Sequence, residues 1–147
     1  MMTQEAILAK LPYSKPFLFV DTIDSVNAEG ISGSYTFDEE LDFYKGHFTD
    51  KPVTPGVILT EVMAQIGLVC LGIFLNDGEE EQANSFALTQ TNIEFYKPVY
   101  PGERVFVESK KEYFRFGKLK CQVSMHNENG DIVCDGFIAG IVVKNTK

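Results

Sequence analysis

Tryptophan is absent from the 147 residues, histidine occurs twice, and cysteine occurs three times. Two histidines without partners at ligand spacing argue against a metal centre. The cysteines, Cys70, Cys121 and Cys134, form no CxxC pair and sit among apolar neighbours. They read as reduced, buried thiols of a cytoplasmic protein, not as a disulfide framework. Basic residues are scarce, 13 against 21 acidic, giving a net charge of −8 and a pI near 4.7. That balance excludes general affinity for nucleic acid. There is no phosphate loop, GxGxxG, HExxH or calcium-loop pattern, and Gly30-Ile31-Ser32-Gly33-Ser34 has the wrong glycine spacing for a nucleophile elbow. The N-terminal MMTQEAILAKLPYSK lacks an apolar core ending in small residues, so no signal peptide is expected. Hydrophobic residues at 44% and charged residues at 23% suit one globular domain over residues 1–147.

What the chain has in excess is one apolar run. Residues 56–75, GVILTEVMAQIGLVCLGIFL, are long enough to cross a bilayer, but Glu61 and Gln65 lie inside the run and no basic flank accompanies it. A helix apolar nearly all round belongs inside a protein. Thr54-Pro55 supplies an N-cap and a first helical position, so the helix is expected to span roughly 30 Å at 1.5 Å per residue. Asn76-Asp77-Gly78 closes it, and the Glu79-Glu80-Glu81 run reads as a solvated loop.

Elsewhere the patterning predicts a short helix at 3–10 capped by Thr3, then strands at 17–26 and 30–37. After the long helix it predicts strands at 85–95, 104–116, 118–126 and 132–143. Residues 118–126 show the clearest alternation, with Leu119, Cys121, Val123 and Met125 against Lys118, Lys120, Gln122 and Ser124. Gly117 and Asn129-Gly130 mark hairpin turns. The sheet is the only object large enough to bury the helix. The expected fold class is therefore α+β, an antiparallel β-sheet wrapped around one long central helix.

Three elements could carry chemistry. His47, in Gly46-His47-Phe48 just before the helix, is either a structural turn histidine or a base. His126 borders a polar turn and is expected to be exposed. Glu61 is costly to bury unpaired. Gln65, one turn on, could bond it in a simple packing role, or the carboxyl could have a raised pKa and serve as an acid near neutrality. At the helix start, the N–H groups of Gly56 and Val57 lack intrahelical acceptors and could hold an oxyanion. A base, a protonated carboxyl and an oxyanion donor together suit proton abstraction beside a carbonyl followed by loss of a β-hydroxyl.

The motifs that surround these residues are Leu11-Pro12 with Pro16-Phe17-Leu18-Phe19-Val20-Asp21, Gly46-His47-Phe48, Pro52-Val53-Thr54-Pro55-Gly56-Val57, Glu61 with Ala64-Gln65, and Phe95-Tyr96-Lys97-Pro98-Val99 with Pro101-Gly102-Glu103. Over residues 11–143 they resemble the FabZ-type 3-hydroxyacyl-acyl-carrier-protein dehydratases. The resemblance implies a hot-dog fold and a homodimer with sites at the subunit interface, assembled in many family members into hexamers as trimers of dimers. It implies dehydration of (3R)-hydroxyacyl thioesters to trans-2-enoyl thioesters in fatty-acid, polyene or pigment biosynthesis. His47 would take the C2 proton, and Glu61 of the opposite subunit would protonate or orient the departing hydroxyl. Gly56 and Val57 would hold the thioester oxygen, and Gln65 would position Glu61. No metal or redox cofactor is implied; acyl carrier protein would deliver the substrate on its phosphopantetheine arm.

Three departures bear on this resemblance. Thr49-Asp50 stands where the family has Pro-Gly, Thr54 where it has Met, and residues 88–92 lack an expected glycine. A Thr54 hydroxyl capping the helix would compete for an N–H that the oxyanion needs. Two other readings share the fold: an acyl thioesterase, and a non-catalytic acyl-thioester-binding protein. Residues 97–120 carry seven basic side chains and three acidic ones in an otherwise acidic chain. This strand face would either steer an acidic carrier protein or simply discourage edge aggregation.

Overall fold

The computed structural model describes residues 2–78 and 85–143; the Glu79-Glu80-Glu81 run lies outside them. Thr3 accepts from the Ala6 N–H at 3.1 Å and caps α1 (Gln4–Ala9) as expected. β1 (Thr22–Asn27) and β2 (Gly30–Thr36) follow, then a 3₁₀ turn (Asp42–Lys45) and the central helix α2 (Gly56–Leu75). β3 (Phe86–Phe95), β4 (Arg104–Arg115), β5 (Lys118–His126) and β6 (Ile132–Val142) complete the chain. The strands form one antiparallel sheet in the order β1-β2-β4-β5-β6-β3. It curls around α2 in the hot-dog arrangement.

The apolar run passes the length and composition test for a membrane span, yet its residues are mostly buried against the sheet. Val62, Ile66, Leu68 and Leu71 of α2 are fully enclosed, and so are Val105, Val107, Leu119, Met125 and Ile138 facing them. The period-two pattern of β5 is realised, with Leu119, Cys121, Val123 and Met125 all inward. All three cysteines are free and buried, and burial pushes the Cys121 and Cys134 thiols up to about 11 and about 12.

Local structure departs from expectation in three places. The strand expected from residue 17 begins only at Thr22, because the Phe17 carbonyl and the Phe19 N–H bond to the Gln65 side chain and not to a neighbouring strand. Thr54 does not cap α2. Pro55 is the N-cap, and the Thr54 hydroxyl lies 2.6 Å from the Tyr44 hydroxyl. The helix also widens to a π-turn at Gln65–Cys70. There Ser109 of β4 donates to the Gly67 carbonyl at 2.8 Å, and a Cβ on Gly67 would fall 3.0 Å from the Ser109 side chain. Glycine permits this close contact between helix and sheet.

The two edges of the sheet differ. β1 is short, its register shifts between Ile23 and Ser25, and Gln4 of α1 donates to its Asp24 carbonyl at 3.1 Å. β3 is ten residues long, and every side chain from Ala87 to Asn92 is exposed. Short, kinked and covered edges resist further pairing, whereas long, open ones invite it.

Candidate active site

His47 follows the 3₁₀ turn, whose Phe43 carbonyl accepts its N–H at 3.0 Å. Its ring Nδ1 lies 2.7 Å from the Val53 carbonyl oxygen. A carbonyl only accepts, so Nδ1 carries the proton, and in the neutral form of the ring the lone pair lies at Nε2. Phe48 stacks on the imidazole with centroids 4.4 Å apart and planes 17° from parallel. Phe48 is 66% exposed and holds φ +59°, a left-handed conformation unusual for a bulky residue. Thr49 and Asp50 lie exposed in the turn closed by the Lys51 N–H on the Phe48 carbonyl at 2.9 Å.

Glu61 occupies the second turn of α2 and is half-buried. Its Oε2 accepts from Gln65 Nε2 at 3.0 Å. Gln65 is wholly buried; its Nε2 also donates to the Phe17 carbonyl at 3.0 Å, and its Oε1 accepts from the Phe19 N–H at 2.8 Å. Both ends of the amide are thus satisfied, which is the condition for burying it. Desolvation by burial pushes the Glu61 carboxyl above its ordinary range, and the Gln65 hydrogen bond only partly opposes this. Tyr13 lies close enough to feel the Glu61 charge. Its phenol is pushed up to about 12, mainly by burial and next by Glu61.

The start of α2 is open. The N–H groups of Ile58 and Leu59 both donate to the Pro55 carbonyl, at 2.9 and 3.2 Å, and Pro55 offers no side-chain cap. The Gly56 and Val57 N–H groups precede these first helical bonds and have no acceptor in the helix. The Thr54 hydroxyl is engaged with Tyr44, so the competition anticipated from a Thr54 cap does not arise. Val57 is 76% exposed. Two clefts meet at Gly56 and Phe95. One, of about 300 Å³, runs past Thr54 and Lys97, and the other, of about 550 Å³, runs past Thr60 and Thr91. A Cβ on Gly56 would lie 3.3 Å from the Phe95 ring, so glycine keeps this junction clear.

Within one chain, His47 and the open helix start share a neighbourhood through the 53–57 stretch, whereas Glu61 is tied through Gln65 to residues 17–19. No hydrogen bond joins His47 to Glu61. His126 ends β5 half-buried, not exposed, paired in register with Ile132. Of the basic side chains at 97–120, Lys97 pairs with Asp131 at 3.0 Å and Lys120 with Glu112 at 3.5 Å. Arg104 donates to Ser34, and Arg115 lies over Tyr113. Four of the seven basic side chains thus have partners within the chain. Among the described residues, no group of three or more His, Cys, Asp or Glu side chains could hold a metal ion. Tyr13 joins the site only through tertiary contacts; Tyr44 lies in the turn before His47 and Phe95 opens the Phe95-Tyr96-Lys97-Pro98-Val99 motif, but nothing in the sequence assigns either a place in the site.

The FabA-like domain family model matches residues 11–139. A 3-hydroxyacyl-[acyl-carrier-protein] dehydratase FabZ of Roseiflexus sp. (strain RS-1) is 31% identical over 141 residues, covering 92% of this chain and 93% of that protein. The chain belongs to the FabA-like family. Another FabZ dehydratase, from Wolbachia pipientis subsp. Culex pipiens (strain wPip), is 34% identical over 128 residues, covering 83% of this chain and 85% of its own length. Among solved structures, the dehydratase heterocomplex ApeI:P from Xenorhabdus doucetiae aligns with a TM-score of 0.80 at 11% identity, over 99% of this chain and 94% of that one. A thioesterase from Haemophilus influenzae aligns with a TM-score of 0.71 at 15% identity, over 100% and 94%. At such identities the structural likenesses establish the hot-dog fold of this family member and not its reaction.

Proposed function

We propose that this family member dehydrates (3R)-hydroxyacyl thioesters, delivered on acyl carrier protein, to trans-2-enoyl thioesters. The observation that carries the reading is the setting of two groups: His47, whose Nδ1 is tied to the Val53 carbonyl so that Nε2 is the atom left to react, and Glu61, whose carboxyl burial pushes above its ordinary range. His47 Nε2 takes the C2 proton, and the electron pair moves toward the thioester carbonyl. The Gly56 and Val57 N–H groups hold the developing oxyanion. As the C3–O bond breaks, Glu61 gives its proton to the departing oxygen and water leaves. The proton on His47 then passes to Glu61, directly or by exchange through solvent, which resets both groups. Every step is a proton transfer or a C–O cleavage, so the reaction needs no metal or redox cofactor.

The catalytic pair is drawn from two copies of the chain. The open β3 edge supports a homodimer through strand pairing, and the clefts at Gly56 and Phe95 flank that strand. The intact clamp on Glu61 and the absence of a bond to His47 in the same chain fit a partner that supplies the acid. Further assembly into hexamers and a cytoplasmic setting with the carrier belong to the same reading. Purified protein given a (3R)-hydroxyacyl thioester, with products followed by mass spectrometry, tests it. Loss of one water with the thioester intact supports dehydration. Release of free acid selects a thioesterase, and binding without turnover selects an acyl-thioester-binding protein.

A further inference from the structure

The hydroxyls of Tyr44 and Thr54 lie 2.6 Å apart, and each residue is only 4% exposed. Two apolar side chains of the same shape would fill that space at little or no loss of stability, so a buried hydroxyl pair calls for another explanation. Its surroundings supply one. The Val53 carbonyl and the Thr54 N–H belong to a single planar peptide unit. The carbonyl accepts from His47 Nδ1 at 2.7 Å, and the N–H donates to the Val99 carbonyl at 2.8 Å. Tyr44 belongs to the 3₁₀ turn that holds the His47 backbone. The hydroxyl pair therefore closes a ring that runs from the turn through His47 to the 53–54 peptide and back to the turn.

Resting on the dehydration reading, we infer that Tyr44 and Thr54 are positioning residues for His47: their hydroxyl bond fixes the tilt of the 53–54 peptide so that its carbonyl holds the Nδ1–H tautomer and leaves Nε2 free for the C2 proton. Neither residue touches the reacting atoms. Without the bond, the peptide keeps only its bonds to Val99 and to the His47 ring itself, and can rock. The Nδ1 bond then loosens, and part of the His47 population adopts the Nε2–H tautomer, which cannot act as a base at that atom. The same bond keeps the Thr54 hydroxyl from reaching the open N–H groups of the helix.

The test compares the double variant Tyr44→Phe/Thr54→Val, which keeps the packing but lacks both hydroxyls, with Thr54→Ser, which keeps the bond. Each is first confirmed to assemble as wild type does. The double variant should lose about ten-fold in kcat with KM changed by less than about two-fold, and Thr54→Ser should retain wild-type kinetics. Nitrogen-15 spectra of His47 should show one Nδ1–H tautomer in wild type and Thr54→Ser, and a tautomer mixture in the double variant. A double variant with wild-type kcat and wild-type His47 signals overturns the inference. The spectra need no turnover, so they decide the positioning role even if the wild-type chain dehydrates nothing. Conversely, a variant that remains fully active while His47→Ala is dead rejects the positioning role and leaves the dehydratase reading standing.

Discussion

The two sides of the site are built differently. Glu61 stands on a buried helix and is held by the side chain of Gln65, which also clamps the backbone at Phe17 and Phe19. His47 stands on a turn and is held by backbone carbonyls, Phe43 for its N–H and Val53 for its ring. The acid side is thus set by burial and one amide, and the base side by the course of the chain. This contrast separates their expected responses: substitutions around Glu61 couple activity to stability, whereas substitutions around His47 act on activity with little change in folding.

The largest effect should come from removing the reacting groups themselves. His47→Ala and Glu61→Gln should each lower kcat by about 10²–10⁴ while leaving assembly intact, as read by steady-state kinetics beside size-exclusion chromatography. A variant that keeps wild-type turnover would remove that residue from the mechanism. Next is Gln65→Leu, which strands the buried Phe19 N–H and Phe17 carbonyl. Denaturant titration should show a loss of about 2–4 kcal/mol, and activity should fall with it. An unchanged midpoint would mean that the clamp carries little of the fold.

The open edge offers a third break. Thr91→Lys and Asn92→Lys together place charge on exposed β3 and should turn the assembly into folded, inactive monomers. Sedimentation with circular dichroism checks this, and an active monomer would refute the shared site. The smallest effect is the pH dependence of Glu61. Its folded pKa lies above the unfolded one, so the folded state binds more protons between the two values. Its stabilising contribution is full below the unfolded carboxylate range and is lost as pH rises through the folded pKa. Glu61→Gln should therefore gain in Tm relative to wild type as pH rises across that window and hold a constant difference above it. For the same reason wild-type kcat should fall at high pH as Glu61 ionises, and a Tm difference independent of pH would contradict the raised carboxyl.

The central helix and most strands were legible in the sequence because burial imposes period and length there, as in the alternation of β5 and the apolar run of α2. Glu61 and Gln65 stood out for the same reason, as polar groups in an apolar setting. Residues 17–21 read as strand by composition, but the Phe17 carbonyl and the Phe19 N–H go to the side chain of Gln65, far along the chain, and only Asp21 reaches β2 through the Ser34 carbonyl. Thr54 misled because its hydroxyl had a local role available as a cap and a tertiary one with Tyr44, and the tertiary contact won. Local pattern could not reveal Tyr13, which reaches Glu61 only once the fold has closed, and it marked Phe95 as part of a motif but not as a wall of the cleft.

Mixing the two inactive variants tests the shared site most directly. His47→Ala and Glu61→Gln would be combined at equal amounts, unfolded and refolded together, and assayed against a (3R)-hydroxyacyl thioester. If the base and the acid come from opposite copies, each mixed dimer rebuilds one intact site, and the mixture recovers about a quarter of the wild-type rate. If both groups serve the same chain's site, no mixed dimer contains a complete pair, and the mixture stays as inactive as its parents.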